Sequence, residues 1–175
     1  MKKSITSFLV LSLFITVILC YVCTSCTDFS IKVDSLDITE LKEYAENGNS
    51  DAQAELGIRY YLGFNGVNKN AAEAIKWLTK AQKQGNAYSV YWMGNCYYKG
   101  IGVEKDLAKA NTLYKEAFES FKKMAKDGDI KALCYVGICH NDGKGTKVNK
   151  KLAFEAFKIS AEKGYVRAQC NLGKR

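Results

Sequence analysis

Apolar residues after position 36 recur at the spacing of amphipathic helices, and glycines interrupt them at regular intervals. Each of four aligned glycines follows a small residue five positions earlier and an apolar residue one position earlier. The aligned glycines are Gly57, Gly94, Gly137 and Gly173, and the spacings between them are 37, 43 and 36 residues. The pattern predicts two helices per period, each ended by a glycine.

The repeated unit is therefore a helical hairpin, and such hairpins bury their apolar faces by stacking on one another. The predicted domain, 36–175, has three full repeats between two partial ones. Its parts are a half repeat 36–48, repeats 49–85, 86–128 and 129–164, and a partial repeat 165–175. The second repeat has seven additional residues around 119–123. Because seven residues are about two turns of helix, they predict a longer second helix whose apolar face keeps its direction.

Residues 52–85, AQAELGIRYYLGFNGVNKNAAEAIKWLTKAQKQG, match the consensus of the Sel-1-like repeat family at nearly every anchor position. The chain resembles this family over residues 36–173. The resemblance implies an all-α fold, a right-handed α-solenoid of stacked helix-turn-helix repeats related to the tetratricopeptide repeats. Leu113 and Ala156 stand where the family favours tryptophan, and the chain contains no proline, which is frequent in the family.

The first 26 residues have the pattern of a signal peptide or a membrane anchor helix. Lys2 and Lys3 precede the apolar run FLVLSLFITVILCYV at 8–22, and no further charge occurs before Asp28. Because positive charge flanking an apolar segment favours the cytoplasmic side, we expect the rest of the chain outside the cytoplasm. The leader therefore predicts an exported protein that is membrane-associated or secreted.

Cys26 follows Thr24 and Ser25 just after the apolar run, and this arrangement resembles the lipid-attachment box of bacterial lipoproteins. The resemblance implies that Cys26 is the site of lipidation, and residues 27–35 are interpreted as a tether. Two alternatives stay open. Residues 5–23 are about as long as the roughly 20 residues that cross a bilayer, which suits an uncleaved anchor. Simple cleavage of the leader would instead release the protein.

The charge distribution argues against a nucleic-acid partner. The chain has 26 Lys and Arg against 18 Asp and Glu, a formal net charge of +8. Two of the positive charges lie in the leader, and most other lysines alternate with acids, as in Glu104-Lys105-Asp106. Proteins that bind nucleic acid instead cluster basic residues on one stripe among aromatic side chains. We expect a solvated surface without nucleic-acid binding.

No pattern of residues predicts catalysis, a cofactor or a metal site. His140 is the single histidine, and it stands where the other repeats have Tyr60 and Tyr97, so we interpret it as a half-buried replacement for an aromatic side chain. Ser120 and Ser160 each precede a lysine by three residues, as in penicillin-recognising serine enzymes. The partner motifs of those enzymes do not occur in the sequence, which favours coincidence.

Beyond the leader the cysteines are Cys96, Cys134, Cys139 and Cys170. An even number in an exported chain allows three disulfide pairings. All four lie in predicted first helices, whereas cysteine-rich members of the family join a first helix to its own second helix. We therefore expect free thiols.

The predicted binding surface is the concave face of the solenoid, which the first helices line in this family. Positions two before and two after an aligned glycine lie one turn apart on the same side of a first helix. Arg59, Trp92 and Tyr135 occupy such positions, and we expect them to be partly exposed anchors for a protein or peptide. Packing between neighbouring helices is the alternative for these three side chains.

The sequence thus predicts a scaffold or adaptor for protein complexes at the cell envelope, with no catalysis of its own. Two alternatives belong to other classes. One is a β-lactam or cell-wall hydrolase, an activity suggested for some cysteine-rich relatives. The other is a secreted effector that binds host proteins. Fold alone does not choose among these functions.

Overall fold

The fold is taken from a computed structural model that describes residues 33–173. The predicted leader and the lipidation site at Cys26 lie outside the described residues. From Val33 onward the chain forms one compact unit. No helix within the described part is long and apolar enough to cross a bilayer.

Residues 33–173 form eight α-helices and one short 3₁₀ turn, with no strand in this part of the chain. The elements in chain order are the 3₁₀ turn Val33–Ser35, α1 (Ile38–Glu46), α2 (Ser50–Leu62), α3 (Ala71–Lys83), α4 (Ala87–Lys99), α5 (Leu107–Lys126), α6 (Ile130–Asp142), α7 (Lys150–Glu162) and α8 (Val166–Leu172). The prediction of an all-α fold is confirmed for these residues, while the handedness of the solenoid stays a prediction.

Seven of the helices begin at an Asn or Asp whose side chain caps the helix. Its oxygen accepts a hydrogen bond from a backbone N–H in the first turn, one of the donors that every helix start leaves unpaired. These caps are Asp37, Asn49, Asn70, Asn86, Asp106, Asp129 and Asn149. Among the described helices, α8 alone begins without a side-chain cap.

The first helices α2, α4 and α6 pack closely on the second helices α3, α5 and α7 because the aligned glycines lack a side chain. A Cβ at Gly94 would lie 2.8 Å from the ring of Tyr114, and one at Gly137 would lie 2.7 Å from the ring of Phe157. Contacts this short do not occur between real side chains, so a larger residue would push the two helices apart. The repeated glycine is thus a helix-packing position.

A second glycine in each hairpin loop packs on the preceding repeat. Gly102 and Gly145 have φ angles of +69° and +75°, a conformation that favours glycine. A Cβ at Gly102 would lie 2.8 Å from the carbonyl oxygen of Ala71 in α3, and one at Gly145 would overlap the backbone of Tyr114 in α5. Each of these loops therefore packs on the second helix of the preceding hairpin.

The second helix of the middle repeat is seven residues longer than its counterparts. α5 has 20 residues, whereas α3 and α7 have 13 each. Its buried face runs through the added turns and includes Phe118 and Phe121. The prediction that the additional residues lengthen this helix is confirmed.

The turn Val33–Ser35, which we call the N-terminal strap, packs against α2. Val33 is buried at 7% exposure, whereas Asp34 and Ser35 are exposed. The sequence pattern placed these three residues in the tether. In the structure they contact the repeat domain at α2.

Candidate functional site

A cavity of about 380 Å³ opens on the face formed by the first helices. All four of the helices α2, α4, α6 and α8 contribute to its wall, so the cavity spans the stack of repeats. We call it the first-helix cavity. Its lining includes Tyr61, Leu62, Tyr91, Trp92, Asn95, Lys99, Asn141, Asp142, Lys144, Arg167 and Asn171.

Trp92 and Tyr135 are buried between neighbouring first helices. Trp92 is 5% exposed and Tyr135 is fully buried. Their rings belong to an aromatic cluster in which Tyr135 contacts Tyr88, Tyr91 and Phe121 at centroid distances of 5.1, 5.3 and 4.9 Å. The expectation that these two side chains are partly exposed is therefore wrong, because large rings fill the space between α4 and α6.

The hydroxyl of Tyr135 nevertheless connects this cluster to the cavity wall. It accepts a hydrogen bond of 3.0 Å from Nε1 of Trp92 and one of 2.9 Å from Nη1 of Arg167. The guanidinium of Arg167 also lies 5.1 Å from the Tyr135 ring and 5.7 Å from the Trp92 ring. Trp92 and Arg167 line the cavity, so a buried hydroxyl fixes the position of two of its wall residues.

Arg59 is buried as well, at 1% exposure, which corrects the expectation that it is partly exposed. Its Nε donates to Glu55 at 3.1 Å, and its Nη2 donates to the carbonyl oxygens of Val33 and Asp34 at 3.4 and 3.3 Å. Burial, followed by the nearby Asp34 carboxylate, raises the pKa of Glu55. The N-terminal strap covers this arginine.

The side chain of Lys144 places its own positive charge at the cavity wall. Its Nζ donates to Oδ1 of Asn95 at 2.9 Å and to Oη of Tyr91 at 3.1 Å, and it lies 3.6 Å from the Asp142 carboxylate. Burial lowers the pKa of Lys144, an effect that Asp142 opposes. The Tyr91 and Tyr114 rings lie 5.1 and 5.3 Å from Nζ and stabilise the cation further.

The cavity wall carries more positive than negative charge. Lys99, Lys144 and Arg167 are its cations, and Asp142 is the carboxylate among the lining residues. Aromatic side chains make up much of the remaining wall. A cavity with these properties suits a chain segment that presents carboxylates beside apolar groups.

Sequence reasoning missed Lys144 and Arg167, although the repeat alignment contains a signal for each. Lys144 follows Gly143, where the other repeats have the apolar Phe64 and Ile101. Arg167 occupies the position of Lys131 in the preceding repeat, directly before the small residue of the pattern. A charged residue at an apolar position, and a basic residue in two successive repeats, are the signals that could have drawn attention to these two side chains.

The other chemical candidates occupy structural positions. His140 is half-buried and packs edge-on against Phe118 at 5.2 Å, as expected for a replaced aromatic side chain. The Ser120 hydroxyl donates to the carbonyl oxygen of Glu116, and the Ser160 hydroxyl donates to that of Ile130. Residues 33–173 contain no group of three or more His, Cys, Asp and Glu side chains that could hold a metal ion.

The cysteines within residues 33–173 are Cys96, Cys134, Cys139 and Cys170, which are free thiols in the structure, and three of the four are buried. Burial raises the pKa of Cys96 and Cys139 to about 12 and that of Cys134 to about 11. Cys170 is exposed. The buried thiols behave as small apolar residues of the core.

Stacked helical hairpins with a cavity along their first helices define an α-helical repeat protein of the solenoid type. Within that class, residues 50–86, 87–120 and 130–165 match the family model of the Sel1 repeat. The chain therefore belongs to the Sel1 repeat family. The matched repeats begin one residue after the predicted ones, and the second match ends inside α5.

Proteins similar to this chain include one from a plant and one from a mammal. The ERAD-associated E3 ubiquitin-protein ligase component HRD3B of Arabidopsis thaliana is 32% identical over 111 residues, which are 63% of this chain and 16% of that protein. DAP3-binding cell death enhancer 1 of Mus musculus is 32% identical over 80 residues, 46% of this chain and 15% of that protein. The chain thus spans about a sixth of the length of these relatives.

Among solved structures, the chain is similar in sequence to a protective antigen present in uropathogenic Escherichia coli strains, described as displaying an SLR fold. The two sequences are 33% identical, and the match covers 80% of this chain and 28% of the other chain, with a TM-score of 0.45.

Proposed function

We propose that this chain is a protein-binding adaptor that holds a segment of a partner protein in the first-helix cavity and has no catalysis of its own. The observation that carries the proposal is a cavity of about 380 Å³ whose wall is shared by four successive first helices. The names of two Sel1-repeat relatives, a ligase component and a DAP3-binding protein, support it.

The cavity favours a partner segment with an acidic and an apolar part. Lys99 and Arg167 attract a carboxylate, and the Trp92 and Tyr61 side chains offer an apolar surface in the same wall. Arg59, Trp92 and Tyr135 remain the proposed protein-binding residues in a changed sense. Trp92 contacts the partner at the cavity wall. Tyr135 orients Trp92 and Arg167 through its hydroxyl. Arg59 acts at the place where it donates a hydrogen bond to the backbone of the N-terminal strap.

Site-specific photocrosslinking tests this proposal. A benzoylphenylalanine at Leu62 or Asn171, both in the cavity wall, is expected to crosslink a partner in cells that make the protein. The same residue at Lys123, exposed on α5, serves as the control. Lys99→Glu should weaken capture at the cavity positions, whereas Lys123→Glu should leave it unchanged. Equal crosslinking from Lys123, or none from the cavity positions, would show that the cavity is not the interface.

We also propose that the protein is exported and works at the cell envelope, held to the membrane by a lipid on Cys26 or by an uncleaved anchor. The support is the sequence of the first 26 residues, with Lys2 and Lys3 before the apolar run and Cys26 after it. Metabolic labelling with an alkyne fatty acid should mark the wild type and not Cys26→Ser. Unlabelled protein in the membrane fraction would favour the anchor, and unlabelled protein in the medium would favour cleavage.

A further inference from the structure

The N-terminal strap crosses the first-helix face between two cations. Arg59 of α2 donates to the carbonyl oxygens of Val33 and Asp34, and Nζ of Lys131 in α6 lies 2.5 Å from the Asp34 carboxylate. α4 packs beside α2 and is bridged to α6 through the Trp92–Tyr135 hydrogen bond. Three residues of this chain therefore occupy a surface that extends from α2 to α6.

The contacts that hold the strap are ones that another peptide could make. Two of them go to backbone carbonyl oxygens, which every peptide has. The third is a carboxylate on Lys131, and the fourth is the burial of the apolar side chain of Val33. An apolar residue followed by an acidic residue satisfies all four.

The strap is held weakly enough to be displaced. In the Asp34–Lys131 pair the side chains are 42% and 22% exposed, and ion pairs that are open to solvent contribute little to stability. The hydrogen bonds from Arg59 to the strap are long, at 3.3 and 3.4 Å. Val33 is the one side chain of the turn that is buried.

The strap satisfies the hydrogen-bonding groups beneath it incompletely. Arg59 is almost fully buried, and its Nη1 has no hydrogen-bond partner among residues 33–173. Glu55 is the carboxylate in contact with its guanidinium. The strap therefore buries Arg59 without supplying an acceptor for Nη1, which is costly for a cation, and a segment that offers an acceptor there would satisfy this surface more fully.

We propose that the surface formed by Glu55, Arg59 and Lys131 binds a partner segment in which an apolar residue precedes an acidic one, and that the strap is a built-in competitor for it. The inference rests on the proposed function of the chain as a protein-binding adaptor. A tethered competitor has an effective concentration in the millimolar range for a short link, so the partner must bind more tightly than the strap to replace it.

The test uses the full-length protein in mild detergent and a fluorescein-labelled peptide with the sequence of residues 31–37, IKVDSLD. Fluorescence anisotropy gives the Kd for the wild type and for a strap variant, Val33→Ser/Asp34→Asn. We expect the strap variant to bind the peptide at least about tenfold more tightly than the wild type, because its own competitor is weakened. A peptide with Asn at the Asp34 position should bind less tightly to both proteins.

Two further variants locate the site. Adding Lys131→Ala to the strap variant should abolish the gain in affinity, whereas adding Lys123→Ala, an equal loss of charge on the exposed side of α5, should preserve it. Circular dichroism confirms that each variant remains helical. Equal Kd values for the wild type and the strap variant, no binding to either, or a gain that survives Lys131→Ala would each overturn the proposal.

The outcome is separable from that of the cavity experiment. Crosslinking from Leu62 together with failed peptide binding would retain the adaptor function and reject the role of the strap. Peptide binding in the expected order without crosslinking from the cavity would support the strap surface and reject the cavity as the partner site.

Discussion

Tyr135 joins the buried aromatic cluster to the wall of the first-helix cavity through a single oxygen atom. That oxygen accepts from Trp92 of α4 and from Arg167 of α8. The hydroxyl therefore contributes to stability and to the shape of the cavity together.

Tyr135→Phe tests this role. The change keeps the ring but leaves the Trp92 and Arg167 donors without their acceptor, so we expect a loss of about 1–3 kcal/mol in the free energy of unfolding, measured by urea denaturation. Tyr98→Phe is the control, since Tyr98 is 49% exposed. A similar effect from both changes would mean that the buried hydroxyl contributes nothing specific.

The buried thiols should be unreactive in the folded protein. A pKa near 12 instead of 9 leaves about a thousandfold less thiolate in Cys96 and Cys139 at pH 8, and thiolate is the reactive form. Peptide mapping after iodoacetamide treatment at pH 8 should find Cys170 modified and the buried cysteines unmodified until urea is added. Rapid modification of Cys96 without urea would contradict the structure.

The residue scale is also where prediction from sequence failed. The repeat pattern gave the positions of Trp92 and Tyr135 in their helices, but burial there depends on which side chains of the next hairpin fill the gap. Rings from α4, α5 and α6 fill it, so both residues are core. Arg59 is buried because the strap covers it, and the Asp34–Lys131 pair joins residues 97 positions apart. No local pattern contains such a contact.

At the scale of elements, local signals were sufficient. Asn or Asp caps begin seven helices, and left-handed glycines end α2, α4 and α6 at Gly63, Gly100 and Gly143. These signals act within a few residues of the helix end, so a sequence displays them directly. The greater length of α5 was likewise predicted from the sequence, because the 43-residue spacing between Gly94 and Gly137 displays the additional residues directly. The strap has three residues and no periodicity, so it was taken for part of a tether.

The loop glycines set how closely successive hairpins stack. Gly145→Ala would overlap the backbone of Tyr114, so we expect it to destabilise the protein by about 1–3 kcal/mol more than Gly85→Ala. Gly85 is a matched control because its φ of +77° is close to the +75° of Gly145 while a Cβ there would meet nothing within 4 Å. If the two substitutions lowered the free energy of unfolding equally, in thermal or urea unfolding, the strained backbone conformation would account for both losses and the contact with Tyr114 for neither.

At the scale of the whole molecule, each helix packs mainly on its neighbours in the chain. Stability in such an array is a sum of terms from single repeats and their interfaces, so it differs along the molecule. α4 has ten consecutive buried residues, from Ala87 to Cys96, whereas in α8 Ala168 alone is buried.

Hydrogen exchange should therefore be uneven. We expect the slowest amide exchange in α4 and the facing side of α5, and exchange in α8 faster by orders of magnitude, because opening α8 exposes little apolar surface. Mass spectrometry of peptides from native protein measures the difference. Uniform protection across α4 and α8 would indicate that the domain opens as one cooperative unit.

Packing between neighbours also determines how the chain reaches its folded state. Contacts close in sequence form quickly because little chain entropy is lost in closing short loops. The chain has no proline, so refolding has no step that waits tens of seconds for prolyl isomerisation. Stopped-flow refolding of the reduced protein should be complete within seconds. A chain that reached its site of function unfolded would therefore fold there without a prolyl isomerase.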